Sequence, residues 1–540
     1  MPEPGMTRSA GLLALLASLV LALAALSLHL GQDVNFDLLN YHYYVGYAFL
    51  HGRTFSDLAP AGSQSFQPPL LHAFHYLGIA HLPPRLFGFL LGALHGLNLP
   101  LVAALGLVVL GRSDPRAGPL ALLAAALAGA GPAAVSLVGT TFGDNLVSLP
   151  ALLALVLLLR AADSDAPRLL LAAGVLAGIA TGLKLTMAAY HLGLAAAALV
   201  LFRRGPRLAR QLAALGFGSV LGFLPSAGFW DYELWRRFGN PVFPFANGLF
   251  RSPYQSPESF RDARYVARSA YDLLRPFVDT ALGRAERFME IGMRDLRFLL
   301  LLLAAVATAA LWLKARRLPP APSEDPRPLD PDRLASPADP RPLDQGRALR
   351  ERALFAWWGT AYLAWALAFY TYRYAALLEF TAPLVLFVLL ARLLPARHVL
   401  RAAAVATLLI VATTRAESWG RRAWQSPWLK LPVPALGLQA DSLILMVGMP
   451  SGFAVPSFRD DARAVHLTAV ERFQAPSAWN PLVEEAVREH RGPILLLSNF
   501  EFSRAECDAR AAALGLVPTP RCEGFRNGAL RFRLCELERK

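Results

Sequence analysis

Charge is scarce in this chain, and lysine is scarcer. Asp, Glu, Lys and Arg together make up 17% of its 540 residues, and lysine occurs only at Lys184, Lys314, Lys430 and Lys540. A soluble chain of this length would form about three domains, each needing a charged surface. Cysteine is almost absent too. Cys507, Cys522 and Cys535 all lie near the C-terminus, so at most one disulfide can form within the chain.

Apolar residues fill the space that charge leaves. The sequence is 55% hydrophobic with a mean hydropathy of +0.39, and uncharged runs such as Leu12 to Leu30 and Leu120 to Ala134 recur. Crossing a bilayer takes roughly 17–25 mostly apolar residues, so these runs predict an all-α polytopic membrane protein. About eleven spans are expected, near 9–30, 85–110, 118–138, 145–160, 169–182, 187–202, 210–228, 297–313, 353–370, 375–391 and 397–413. The first run lacks a small-residue cleavage site and is long, so it is expected to remain as a helix. Leu70–Leu82 is too short to span; with His72, His75 and His81 it is expected to lie at the interface.

The net charge is +14 and the isoelectric point about 10.1, yet the basic residues punctuate apolar runs, which argues against a nucleic-acid partner. They fall in alternate loops: Arg112 and Arg116, Arg160 and Arg168, Arg203 to Arg210, Lys314 to Arg317, and Arg392 to Arg401. The intervening loops hold Lys184 and Arg373 singly. The basic set is therefore expected in the cytoplasm. Asp33, Asp37, Asp144, Lys184, the 229–295 loop and Arg373 then share the outer face. Arginine replacing lysine suggests a GC-rich bacterial genome, and the expected location is the bacterial cytoplasmic membrane.

Two segments break the helical pattern. Residues 314–352 are expected to form a disordered cytoplasmic linker, rich in Pro, Asp and Arg, with Asp-Pro-Arg-Pro-Leu-Asp at both 325–330 and 339–344. Residues 418–540 are expected to form a small extracytoplasmic α/β domain. Its strands are read at Ser442–Val447, Pro493–Ser498 and Leu530–Leu537, and a helix at Pro481–His490. A hairpin about Asn527–Gly528 would bring Cys522 near Cys535; free buried thiols are the alternative.

The first outer segment, 31–84, carries the residues of greatest chemical interest. Asp37 and Tyr41 have i, i+4 spacing and so share one helix face. A carboxylate at a membrane boundary among Tyr and His can serve as a general base; Asp, Asn and Tyr are also ordinary cap and interface residues. Asp144 follows a Gly/Thr loop, as a helix N-cap does. His42 either assists Asp37 or sits in the interface belt. His72 and His75, at i, i+3, lack an acidic partner and make poor metal ligands. Glu379 lies about one turn below Arg373 and is expected to pair with it.

These residues resemble a family. An aspartate after the first span followed by a Tyr-rich juxtamembrane helix looks like the GT-C superfamily of membrane glycosyltransferases. Gln67-Pro68-Pro69-Leu70 is similar to the Pro-Pro-Leu of its mannosyl- and aminoarabinose-transferase branches. Thr181-Gly182-Leu183-Lys184-Leu185-Thr186 is similar to their Gly-x-Lys-Tyr-Thr turn, with Leu185 where Tyr is usual, and Tyr372-Arg373-Tyr374 to their late Arg-Tyr. Gly239-Asn240-Pro241-Val242-Phe243-Pro244-Phe245 resembles a stretch in uncharacterised bacterial relatives. The resemblance covers about residues 9–413. The family's Asp-Glu pair is absent because Leu38 follows Asp37, which leaves Asp33 as a rival base.

The resemblance implies a polyprenyl-phosphate-sugar donor, a glycan, lipid or protein acceptor, and inversion at the anomeric carbon. Asp37 would be the base, with Asn40, Tyr41 and His42 as acceptor or sugar contacts. Lys184 and Arg373 would stabilise the leaving phosphate, joined by Arg236, Arg237 and Arg251 from the outer loop. Asp144 would orient the acceptor or, with Asp37, hold a divalent cation, Mg or Mn. The alternatives are a transporter or flippase for a lipid-linked glycan and a non-catalytic membrane assembly protein. No internal repeat of the kind common in transporters occurs.

Overall fold

A computed structural model describes residues 4–162, 166–202, 208–257, 264–284, 287–317, 342–429, 431–467, 478–499, 501–528 and 530–540. Every apolar run becomes a helix or an interrupted pair of helices. The first is Pro4–Leu30. The second is broken at Leu97 into Pro84–Gly96 and Asn98–Leu110, and the third breaks ahead of Pro132 into Ala117–Gly129 and Pro132–Leu137. Eight described helices are long and apolar enough to cross a membrane. Of the three other expected spans, Ala117–Gly129 and Pro167–Leu183 are apolar but shorter, and Pro342–Ala368 carries its charges in its first half.

Two boundaries differ from expectation. Leu208–Phe223 does not stop at 228; it passes through a π-turn at Leu224–Gly228 into Phe229–Phe238, so the outer loop begins ten residues late. Pro225 removes a backbone donor inside that stretch, and a π-turn accommodates the loss. The expected linker narrows at its end, because residues 342–352 belong to the helix Pro342–Ala368. Proline at the first helical position suits that start. The linker narrows at its start too, because residues 314–317 belong to the helix Arg297–Arg317; residues 318–341, with the first Asp-Pro-Arg-Pro-Leu-Asp copy, lie outside the described residues.

The alternate loops separate into two ends. At one, Arg116 and Arg347 both reach Asp114, at 2.8 and 2.9 Å, and Arg347 and Arg392 both reach Glu351, at 2.9 and 2.6 Å. At the other, short antiparallel ladders join Gln32–Asp33 to Arg421–Arg422 and Met293–Arg294 to Arg415–Ala416. The first outer segment, the 229–295 loop and the entry to the C-terminal domain therefore meet at one end of the bundle.

The C-terminal domain holds a five-stranded sheet. Its order is Arg463–His466, Leu443–Val447, Ile494–Asn499, Leu530–Arg539, Leu516–Asn527; the first three are parallel and the last two antiparallel. The expected strands and helix recur within a few residues, the helix as Trp479–Glu489. Sequence inspection misses Arg463–His466, the helix Arg504–Ala513 and Leu516–Asn527. Pro518 and Pro520 hide the last as a strand; it tolerates them as an edge strand whose register shifts between Pro518 and Cys522. Cys522 faces Cys535 across this hairpin and is disulfide-bonded to it, with Cα atoms 4.1 Å apart, while Cys507 is free and buried.

This domain does not stand alone. Leu443, Leu445 and Val447 face one core that also takes Leu58, Phe66, Trp230 and Phe238; Ile444 and Met446 face another that takes Leu39, Tyr44 and Val45. Leu58 also bridges Val465 on the outermost parallel strand, covering an open edge. The juxtamembrane segment after Asp37 is thus wedged between the helix bundle and the sheet, which holds it rigid.

Candidate functional site

Asp37 precedes a π-turn, Leu38–His42, that runs into the helix Tyr43–Leu50. Tyr41, one turn on, donates its hydroxyl to Asp37 Oδ2 at 3.2 Å. The same oxygen takes Arg373 Nη1 at 2.8 Å, although 336 residues separate the two. Among the described residues Asp37 Oδ1 has no hydrogen-bond partner. Arg373 sits on the short 3₁₀ turn Tyr372–Ala375 at the mouth of the helix Ala376–Leu393. Its Nη2 donates to the Tyr374 hydroxyl at 3.1 Å, and its guanidinium lies over the rings of Phe142 and Trp419 at 4.6 and 5.7 Å. Its Nε is 3.1 Å from Glu290.

Lys184 interrupts the helical run between Leu183 and Leu185 in an extended conformation, which turns its side chain inward. Nζ is 2.6 Å from Asp144 Oδ1 and donates to the Phe142 carbonyl at 3.0 Å; it also lies 5.1 Å from the centre of the Tyr374 ring. Asp144 is not the N-cap of its helix. Gly143 takes that place with φ of 79°, and a side chain there would meet Leu71 at 2.6 Å. Asp144 Oδ2 is buried with no partner. Asp37, Asp144, Lys184 and Arg373 thus gather around Phe142 and Tyr374.

Other candidates are placed elsewhere. Asp33 is fully buried and saturated: Asn35 Nδ2 reaches both its oxygens, and the Thr141 backbone and hydroxyl donate to Oδ2 at 2.8 and 2.9 Å. It ties the first outer segment to the 139–144 loop and has no free oxygen for an incoming proton. Asp33→Asn is expected to cost about 1.5–3 kcal/mol of stability through lost charge-assisted bonds. Thermal unfolding in detergent checks this.

Asn40 bonds to Gln64 at 2.8 Å on the sheet side. His42 bonds to Thr141 at 3.0 Å and stacks on His72 at 4.8 Å, and burial pushes its pKa well below the usual histidine range. It lines the wall beside Tyr41 with no direct bond to Asp37. Arg236 and Arg237 lie on an exposed helix face and pair with Glu233; Arg251 is exposed at a left-handed backbone position.

Glu379 does not pair with Arg373. It accepts the Ala133 and Ala134 amides, both at 3.0 Å, and the Tyr372 hydroxyl at 2.8 Å, while Arg297 donates to its carbonyl. It caps the short helix Pro132–Leu137, whose free amides favour a carboxylate. Arg373 turns outward to Asp37 and Glu290 instead. Glu290, Tyr374, Phe142 and Trp419 escaped sequence inspection. Tyr374 alone left a trace, in the Tyr-Arg-Tyr motif.

Among the described residues no group of three or more His, Cys, Asp or Glu side chains is arranged to hold a metal ion. Asp37 and Asp144 each already pair with a cation, through Oδ2 and Oδ1 respectively. A small groove of about 40 Å³ opens at Gly182 and Leu185, which flank Lys184 in the chain, and is lined also by Gln67, Pro68, Phe223 and Phe243. Three motifs singled out in the sequence therefore converge on it.

No family model, curated protein or solved structure matches this chain.

Proposed function

We propose that this chain is a membrane glycosyltransferase of the GT-C kind. It moves a sugar from a polyprenyl-phosphate donor to an acceptor hydroxyl, with inversion. The observation that carries the reading is the meeting of Asp37, Arg373 and Lys184 in one cluster. A base and two cations are the groups such a transfer needs, and they arrive from three distant segments.

In this reading the acceptor hydroxyl gives its proton to Asp37 Oδ1 as its oxygen bonds to the anomeric carbon. The bond from that carbon to the phosphate oxygen breaks, and the electron pair leaves with the polyprenyl phosphate. Arg373 and Lys184 stabilise that developing charge. Asp144 holds Lys184 in place. Incubation of the purified protein with a radiolabelled polyprenyl-phosphate sugar and cell-envelope acceptors tests the reaction. Movement of labelled lipid across vesicles without cleavage of the sugar would make the protein a flippase instead.

The site faces the outside of a bacterial cytoplasmic membrane in this reading, with the C-terminal domain beside it. The arginine-rich end and the disulfide between Cys522 and Cys535 support that side. Alkaline phosphatase fused after Ala416 is expected to be active, and fused after Pro331 inactive. The reverse pattern would place the cluster in the cytoplasm and sink the proposed reaction.

A further inference from the structure

Arg373 carries five N–H donors, and the described residues take up only part of them. Nη1 is bound to Asp37 and Nη2 to the Tyr374 hydroxyl, and both contacts meet hydrogen-bond geometry. Nε is 3.1 Å from Glu290 Oε2, close enough for attraction between charges but too poorly aligned for a hydrogen bond. Glu290 thus faces the Nε edge without spending its N–H, and a phosphate approaching that edge meets a carboxylate already there.

Several features single out the position of Glu290. The cluster has three carboxylates, Asp37, Asp144 and Glu290, against two cations, Lys184 and Arg373, so one negative charge is in excess before any phosphate arrives. Glu290 is the most open of the carboxylates, its side chain 23% exposed against 13% for Asp37. It lies on an irregular segment between the helix Arg275–Leu282 and the strand Met293–Arg294, whereas Asp37 is also held by Tyr41. Burial pushes the Glu290 carboxyl up, Arg373 only partly offsets this, and Asp37 and Asp144 push it further.

We propose that Glu290 is a placeholder anion: its carboxylate occupies, on Arg373, the position that a lipid phosphate takes, and it is expelled when that phosphate binds. This rests on Arg373 being the phosphate-binding group proposed above. Nε and Nη2 form one fork of the planar guanidinium, suited to two phosphate oxygens. Asp37 keeps Nη1 during the exchange, so the base stays oriented while the phosphate enters. Glu290 also keeps the guanidinium neutralised while the site is empty, which lowers the cost of holding it at a membrane boundary.

The test uses the full chain in detergent and farnesyl phosphate as the probe, with binding measured by calorimetry for wild type, Glu290→Gln and Glu290→Ala. Both variants are expected to bind about tenfold more tightly, because a like charge has been removed from the phosphate position. In an Arg373→Met background the same substitutions are expected to change nothing. Sugar transfer by Glu290→Gln should show a lower donor KM with kcat little changed. Equal or weaker binding by the Glu290 variants overturns the proposal, as does tightening that persists without Arg373. Undetectable binding by wild type and variants alike overturns it too. A collapse of kcat at unchanged affinity would make Glu290 a catalytic carboxylate, which also overturns it. If binding tightens as expected while wild type transfers no sugar, the placeholder stands and the transferase reading fails.

Discussion

In the proposed sugar transfer, Asp37→Asn is expected to lower the rate by about 10²–10⁴-fold, the usual cost of losing a positioned base, with little change in unfolding temperature. Asparagine keeps the size of the side chain and can still accept from Tyr41. The charge lost opposite Arg373 does not leave that cation bare, because Glu290 remains 3.1 Å from its Nε. Donor affinity is expected to hold, since Arg373 and Lys184 are untouched. Asp33→Asn provides the contrast: it should lower stability and spare the chemistry, as its oxygens are committed to Asn35 and Thr141. Initial rates and melting curves of the two variants, measured side by side, separate the roles. Full activity in Asp37→Asn would remove the base from the proposed mechanism.

Arg297→Met is expected to give the largest loss of stability, about 3–5 kcal/mol, as removal of one partner from a buried ion network does. Arg297, Asp295 and Glu379 are all fully buried. Arg297 Nε binds Asp295 Oδ1 at 2.8 Å, and Nη1 donates to the Glu379 carbonyl at 3.2 Å. Glu379 in turn holds the Pro132–Leu137 helix, and Asp295 Oδ2 accepts from Thr414 at 2.8 Å. Three helices and the C-terminal connection therefore depend on one guanidinium. Methionine would leave two carboxylates in an apolar interior with no cation. The triple variant Arg297→Met, Asp295→Asn, Glu379→Gln should recover part of the loss, since the residues share one network. Unfolding midpoints in a denaturant series decide the matter. A single variant as stable as wild type would mean that the network contributes nothing net.

The two glutamates illustrate where sequence inspection stops. Glu379 sits one and a half turns from Arg373 on the same stretch, and local spacing favours a pair. The amides that open the Pro132 helix draw its carboxylate away, and these are 245 and 246 residues distant. Glu290 lies in a long outer loop with no periodicity and no motif, so nothing in its neighbourhood marks it. His72, read from its i, i+3 spacing to His75 as a poor metal ligand, stacks on His42 at 4.8 Å.

Within the C-terminal domain, strands buried on both faces were legible because unbroken apolar runs such as Leu443–Val447 have few other uses. Leu516–Asn527 was not, because its prolines are excluded from a strand only when both edges must pair, and edge position is a property of the assembled sheet.

By itself the sequence determined the succession of apolar helices and the gathering of Asp37, Lys184 and Arg373 at the end opposite the arginine-rich loops. Hydropathy and charge asymmetry act segment by segment through the cost of desolvating polar groups, so they can be read without knowing any contact. Only the tertiary structure decided which carboxylate answers which cation. Asp37 with Arg373 and Asp144 with Lys184 are choices among several acids and bases at one end of the bundle, while Asp33 takes no cation and is held by the neutral Thr141. Ion pairing is set by distances of a few ångströms, and those distances exist only once the helices have packed.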